Sequence, residues 1–464
     1  MASIVVCGGS MIGLSTAMML ARDGHDVTVL EKDPAPVPGS PTEAWTSWER
    51  PGVPQLRQPH NLFPRTRSVL DAELPGMVDR LVDAGCTWVN PLAVLPPSMT
   101  DTAPRPDDDK FRFVTGRRPV VEWVFANAAA EHGAVTVRRG VSVAELLVGA
   151  SVLEGVPHIV GVRTTEGDDL RADLVVDAMG RRSKLVDWLQ QLGAPEIPIT
   201  SEDSGFVYYT RYFTGAEQPV MFGPPLNPMG TFSILTLPGD NDTWSLTLYG
   251  ASADAPLKAF KDPEKFVKVV KACPLQQHWL DGEAITDVLT MAGIMDRHRQ
   301  FVVDDKPVAT GVCAVGDAWA CTNPSAGRGI SVGLVHAQAL RSAARSSLAN
   351  PVAFAVELDA LTERDVAPFV HNQIAADRFR IAQMEALRNG EEPPAPNPVM
   401  QKVFAALPYE ADVFRGMLET ISCLAFPQEV LARPGFMDKV DAHRDKEAFG
   451  APGPNRVELL ALLA

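Results

Sequence analysis

The sequence predicts an α/β fold whose main sheet is doubly wound and parallel, with an antiparallel sheet inserted into it and helices at the C-terminal end. Three observations carry that prediction. The chain opens with an apolar run that breaks into glycines and then enters an apolar helix, Ile4-Val5-Val6-Cys7-Gly8-Gly9-Ser10-Met11-Ile12-Gly13. A second near-continuous apolar run, Ala172 to Ala178, stops on Met179-Gly180-Arg181, and a third, Gly311 to Val315, stops on Gly316-Asp317. Such runs suit strands buried on both faces of a parallel sheet. A strand that ends in a tight glycine turn aims the free N–H groups of the next helix at a diphosphate, so the arrangement suits a dinucleotide.

The opening unit carries most of the information. Gly8 permits the turn and Gly13 lets helix and strand approach closely, while Ser10 stands where G-x-G-x-x-G has its middle glycine. The second strand, Asp26 to Leu30, ends on Glu31 at the spacing of the acid that accepts from both ribose hydroxyls. Asp33 to Pro54 is rich in Pro and Gly and reads as a surface crossing; Gly52 to Leu62 follows, with Gln55, Arg57, Gln58 and His60 as polar candidates for a cofactor cleft. Helical spacing runs from Thr66 to Gly85, and Pro96 to Lys110 reads as an exposed loop. Pro119 opens a helix preceded by Arg117 and Arg118; one guanidinium there would reach a cofactor, and Arg117 is the one expected in solvent.

Strands are expected at Val135 to Arg138, Val141 to Val148 and His158 to Thr164, with a hairpin turn at Gly167-Asp168-Asp169. Phe206 to Gly250 crowds nine aromatics between Gly and Pro turns, which predicts an antiparallel sheet with one face covering something. After Asp317 the loop Asn323-Pro324-Ser325-Ala326-Gly327-Arg328-Gly329 enters a helix from Ser331 to Ser347, where bare backbone N–H groups suit a flavin's carbonyl edge. Leu358 to Asn389 is expected to be helical, Glu391 to Pro398 a break, and Gln401 to Ala464 further helices.

Composition narrows the partners. At 46% hydrophobic and 21% charged, 464 residues make a globular protein of more than one lobe. The net charge of −15 disfavours nucleic acid and anionic membranes. The first strand starts within three residues of Met1, leaving no space for a signal peptide, and no run reaches membrane-spanning length, so a cytoplasmic location is expected. Six dispersed cysteines without C-x-x-C spacing disfavour metal sites and disulfide frameworks.

Taken in order, Gly8 to Glu31, Asp177-Ala178-Met179-Gly180-Arg181 and Gly316-Asp317 with Pro324, Gly327 and Gly329 resemble the FAD-dependent monooxygenases of the para-hydroxybenzoate hydroxylase fold. The resemblance implies a Rossmann-like FAD-binding domain at 1–183 with excursions at 33–110, a substrate-binding β-sheet domain at 184–300, a return segment at 301–347 and a helical region at 348–464. It places Glu31 at the adenosine ribose, Arg118 at the diphosphate and ribityl chain, Asp317 at the ribityl or diphosphate, and Gly327 and Gly329 beside the isoalloxazine. Gly8, Ser10, Met11, Gly13, Lys32, Val143, Gly180, Pro324 and Ile330 complete the cofactor-binding set.

Gly52-Val53-Pro54-Gln55 with His60, and Leu74-Pro75-Gly76, look like bacterial secondary-metabolism flavoproteins related to polyether-type epoxidases. The implied reaction passes one oxygen atom of O2 from a flavin C4a-hydroperoxide to a small, largely apolar substrate, by epoxidation or hydroxylation. Met179 replaces the usual Asp before Gly180, so NADH, NADPH and a partner flavin reductase all stand as electron sources. The sequence shows no evident catalytic base; Tyr209, His60 and Trp244, with Tyr208, are the pocket candidates. A reductase of isoprenoid-type double bonds is the alternative, whereas the W-x-W-x-I-P motif of flavin halogenases is absent.

Overall fold

The computed structural model describes residues 1–203 and 205–464. Its central sheet is parallel, with spatial order Val312–Ala314, Leu174–Asp177, Ser3–Cys7, Asp26–Glu31 and Val135–Arg139. The first strand lies in the middle, pairing Val6 with Val29 on one side and with Val176 on the other. All three strand-to-glycine junctions read from the sequence therefore open at the same edge of one sheet, the edge formed by the strands' carboxyl ends. Helix Met11–Ala21 is buried on nearly every residue because the Arg118–Glu131 and Gly329–Ser347 helices flank it. This all-round apolar character suits a helix enclosed on all sides.

A second sheet runs in the order Leu226–Met229, Phe232–Pro238, Thr243–Ala251, Phe206–Thr214 and Glu283–Ala284, with Leu289–Ala292 also pairing Phe206–Thr214. It is antiparallel throughout. A three-stranded antiparallel ribbon, Val143–Val148, Ile159–Thr164 and Asp169–Arg171, turns at Gly167, whose φ of +95° only glycine adopts without strain.

Several expectations are corrected. The Asp33 to Pro54 passage crosses the surface on buried anchors: Ala44, Trp48 and Arg50 sink into the parallel-sheet core, while Pro36, Glu43 and Glu49 are exposed. The helix expected from Thr66 to Gly85 is two, Pro64–Glu73 and Met77–Asp83, divided where Pro75 removes a donor and Gly76 turns left-handed at φ +83°. Likewise Leu358 to Asn389 belongs to two helices, Pro351–Asp365 and Ala367–Asn389, since Pro368 at the start of the second cannot continue the first. Helix Leu185–Gln191 packs with the parallel sheet, where Leu185, Val186, Trp188 and Leu189 join its core. The last helix, Arg456–Leu463, leaves the C-terminal helical region and covers the antiparallel sheet: Leu459 and Leu463 join Phe266 and Val270 there, and Arg456 pairs with Asp254. Among the described residues no helix is long and apolar enough to cross a membrane, and all six cysteines are unpaired and buried.

Candidate functional site

Gly8 takes φ +116°, and a Cβ there would sit 2.4 Å from the carbonyl oxygen of Ala178. A Cβ on Gly13 would lie 1.9 Å from the carbonyl oxygen of Gly8. Both positions thus need glycine to keep the first helix seated on its strand. The Glu31 carboxylate, at the end of the neighbouring strand, accepts from the Gly9 and Asp33 N–H groups at 3.0 and 2.8 Å and from Arg50 at 2.6 Å. Glu122 comes from the adjoining helix and accepts from the Ser10 hydroxyl (2.5 Å), the Met11 N–H (3.2 Å) and Arg118 (2.7 Å). Burial opposes its charge, but Arg118, Arg50 and the Ser10 hydroxyl outweigh that and hold its pKa below the ordinary value.

Arg50 ties this mouth together, lying 2.6, 3.2 and 3.5 Å from Glu31, Asp33 and Glu122. One of its guanidinium nitrogens, Nη1, has no hydrogen-bond partner among the described residues, and neither has Nη1 of Arg139. Arg139 Nη1, a buried donor without an acceptor, and Arg50 Nη1, which faces Glu122 Oε2 at 3.5 Å, put cationic donors beside the glycine turn that fit a bound diphosphate. Lys32 is exposed next to Gly52, and Val143 lies on the ribbon two residues after Val141, whose N–H bonds the Glu31 carbonyl at 3.0 Å.

At the second junction Asp177 accepts from the Met179 N–H (2.9 Å) and the Ser183 hydroxyl. Burial pushes its pKa up to about 6. Gly180, with φ +71°, leaves room for Asp317, the nearest atom to a Cβ there at 3.9 Å. Burial also raises the Asp317 pKa, against the lowering influence of Arg118, Arg181 and Arg299. At the third junction the Gly316 N–H donates to His336 Nδ1 at 3.2 Å; burial lowers the His336 pKa to about 3, so its ring stays neutral and can accept. Pro324 and Gly327 shape the loop that follows, Gly327 at φ +68°, and Gly329 and the buried Ile330 begin the helix.

The antiparallel sheet presents alternate residues to this edge. Val207, Tyr209, Phe213, Trp244, Leu246 and Leu248 pack on the far face against Phe260 and Phe266. Tyr208, Thr210, Tyr212, Thr247 and Tyr249 point the other way. The Thr210 hydroxyl meets Thr247 at 2.8 Å and Gln58 at 3.3 Å, Tyr208 donates to Asn323 Oδ1, and Tyr212 meets Trp45 edge-on with centroids 4.9 Å apart.

This alternation corrects two pocket candidates. Tyr209 lies edge-on to Phe260 in the far core, and Trp244 donates its indole N–H to the Trp279 carbonyl at 2.7 Å, so neither side chain faces the cleft. His60 Nδ1 meets the Gln58 carbonyl at 2.8 Å, and burial together with Arg118 lowers its pKa to about 3. Arg117 is not in solvent. Its guanidinium forks onto Asp240 at 3.0 and 2.6 Å and its backbone N–H bonds the same carboxylate at 2.6 Å, joining the helix start to the antiparallel sheet.

Arg50, Glu122 and Arg139 escaped the sequence reading. Arg118 and Glu122 stand four apart on a helix, a spacing usual for solvated pairs. The available signal was Arg50 directly ahead of Pro51-Gly52-Val53-Pro54, in a passage otherwise read as surface.

The class that this sheet order and this triple junction define is the FAD-binding oxidoreductase fold, with a second sheet facing the nucleotide-binding edge. Residues 3–95 match a family model described as FAD dependent oxidoreductase. The chain is similar to Protein Rv3254 of Mycobacterium tuberculosis, 26% identical over 410 residues, 82% of each chain. Among solved structures it is similar to PqsL, a probable FAD-dependent monooxygenase from Pseudomonas aeruginosa, with TM-score 0.61, 15% identity, and coverage of 83% of this chain and 96% of that one. It also matches the flavin-dependent brominase Bmp2, with TM-score 0.61, 16% identity, and coverage of 95% and 97%. A third match is OxyS, an anhydrotetracycline hydroxylase from Streptomyces rimosus, with TM-score 0.56, 18% identity, and coverage of 91% and 76%. At these identities the structures establish the shared fold.

Proposed function

We propose that this protein is an FAD-dependent monooxygenase that puts one oxygen atom of O2 into a small, largely apolar organic substrate, by epoxidation or hydroxylation. The observation that supports it most is the convergence of three glycine junctions on one sheet edge, faced by the Tyr208, Thr210 and Tyr212 side of a second sheet. In this reading Glu31 holds the adenosine ribose. The Gly8 to Gly13 turn, Arg50 and Arg118 hold the diphosphate, Asp317 takes a ribityl hydroxyl, and the Pro324 to Ile330 segment borders the isoalloxazine.

Bound FAD supplies oxygen activation once two electrons reach it from NADH, NADPH or a flavin reductase. The chain's own part is placement and dryness. Thr210, Thr247 and Gln58 offer a line of hydroxyl and amide groups that orients a substrate, and Asn323 fixes the Tyr208 proton on Oη. The far-face core keeps the sheet closed to water from behind, and exclusion of water protects a reactive oxidant from wasteful release.

The test is anaerobic mixing of the FAD-loaded protein with NADH and with NADPH, then admission of 18O2 in the presence of a panel of alkenes and phenols. Label in the product supports the proposal. Saturation of a double bond without label transfers the assignment to a reductase, and a protein that takes up no FAD refutes the reading altogether.

A further inference from the structure

The loop that enters the Gly329–Ser347 helix is held by side chains from three directions. On one side the Asp296 carboxylate accepts from the Asn323 N–H at 2.6 Å. From the sheet, Tyr208 donates to Asn323 Oδ1. From the Ala367–Asn389 helix, Gln373 and Asp377 reach in together, one turn apart and so on one face. The Ser325 hydroxyl donates to Asp377, the Gln373 amide donates to Ser325 Oγ at 2.8 Å and to Asp377 Oδ2 at 2.8 Å, and Arg328 donates to Gln373 Oε1 at 2.7 Å. Both helix residues are buried.

We infer that Gln373 and Asp377 are positioning residues, a latch by which the C-terminal helix sets the conformation of the Ser325 to Gly329 loop, and that ionised Asp377 closes the latch. The inference rests on the flavoenzyme reading only for its consequence, which is that closure of the loop tightens FAD binding.

The chemistry of the carboxylate supports a titratable latch. Ionised, Asp377 accepts charge-assisted bonds from both Ser325 and Gln373; protonated, it must donate toward Ser325 Oγ, so the Ser325 proton loses its acceptor and the remaining bonds are weaker neutral ones. Burial, with Asp296 nearby, pushes its pKa up to about 6, against the lowering bonds from Gln373 and Ser325 and the charge of Arg328. Tyr208 and Tyr249 face it from the sheet; burial raises both phenols, so they stay neutral. On its own helix Arg378 turns outward to Glu202. Asp377, held by Ser325 and Gln373 and with Asp296 as its acidic neighbour, is thus a group of this cluster placed to change charge between pH 5 and 8.

The experiment has two readouts on the full chain. Amide hydrogen exchange over residues 325–329 at pH 5 and pH 8 needs no cofactor; the dissociation constant of FAD across the same range does. Wild type is expected to exchange at least fivefold more slowly, relative to the intrinsic rate, at pH 8 than at pH 5, and to bind FAD correspondingly tighter. D377N is expected to exchange fast at both pH values and to bind FAD weakly without the pH step. D377E should restore part of the step, Q373A should weaken binding about fivefold while keeping it, and R378Q should match wild type.

An unchanged pH step in D377N, or S325A and Q373A both within twofold of wild type, would overturn the latch. Should D377N fail to fold, those last two variants decide. A wild-type chain that shows the exchange step yet binds no FAD would keep the latch and sink the flavoenzyme reading.

Discussion

Asp240→Asn tests whether the two sheets are joined by charge. The carboxylate is fully buried and Arg117 is 6% exposed. Asp240 accepts from the Arg117 backbone N–H (2.6 Å), from Nε (3.0 Å) and Nη2 (2.6 Å) of its guanidinium, and from the Asn241 amide (3.0 Å). An Asn in its place keeps one acceptor oxygen and turns an NH2 toward a cation, so at least one guanidinium donor is left unpaired out of water. Breaking a buried pair in this way costs about 3–5 kcal/mol, most of it the stranded charge rather than the lost attraction. In a chain of this length that corresponds to a fall in Tm of roughly 3–5 °C.

Thermal melts followed by far-UV circular dichroism measure it, and the double variant R117Q/D240N sharpens it. With both charges gone nothing is stranded, so the double variant should lose less than D240N alone, a coupling of about 1–3 kcal/mol. A D240N melt within 1 °C of wild type, or a double variant whose loss equals the sum of the singles, would refute the reasoning.

Three further outcomes are expected. Gly13→Ala must push the first helix off its strand by about 1 Å to relieve the 1.9 Å contact with the Gly8 carbonyl, and equilibrium dialysis should show FAD affinity down by about tenfold or more, about 1.4 kcal/mol of lost binding. His336, whose pKa burial depresses to about 3, contributes stability that is complete above the unfolded value near 6.5 and is lost as pH falls. The advantage of wild type over H336Q in urea unfolding should therefore shrink by about 2–3 kcal/mol between pH 7 and pH 4.5. Trp244→Phe deletes the bond to the Trp279 carbonyl and should cost about 1–2 kcal/mol in the same assay, yet leave substrate turnover unchanged, because the indole faces away from the cleft.

The parallel sheet was legible because its strands are apolar on both faces and end on glycines whose spacing the backbone dictates. The antiparallel sheet was legible as a sheet but not in its facing. In Phe206–Thr214 almost every residue is buried, so no polar alternation marks which side meets the cleft. A shift of one residue exchanges the faces entirely. Pattern alone therefore does not separate Tyr209 from Tyr212, or Trp244 from Thr247. Charged residues were hidden for the opposite reason. Arg50, Arg117 and Glu122 look like surface residues until partners far off in sequence bury them, and Asp240, in a Gly239-Asp240-Asn241-Asp242 turn, reads as ordinary hairpin chemistry.

Those hidden residues share a position in the chain as well as a fate. The 50–62 passage supplies Arg50 to the cradle and Gln58 to the sheet, while 115–122 supplies Arg118 and Glu122 to the cradle and Arg117 to Asp240. The two passages are bonded to each other where the Thr115 hydroxyl donates to the His60 carbonyl at 3.2 Å. Neither can shift toward the cofactor without moving its contact with the sheet. On the proposed reading, cofactor placement and the hydroxyl-lined wall are mechanically one unit, and a substitution at Gln58 should disturb FAD binding as well as substrate orientation even though its side chain touches Thr210 rather than the glycine turn.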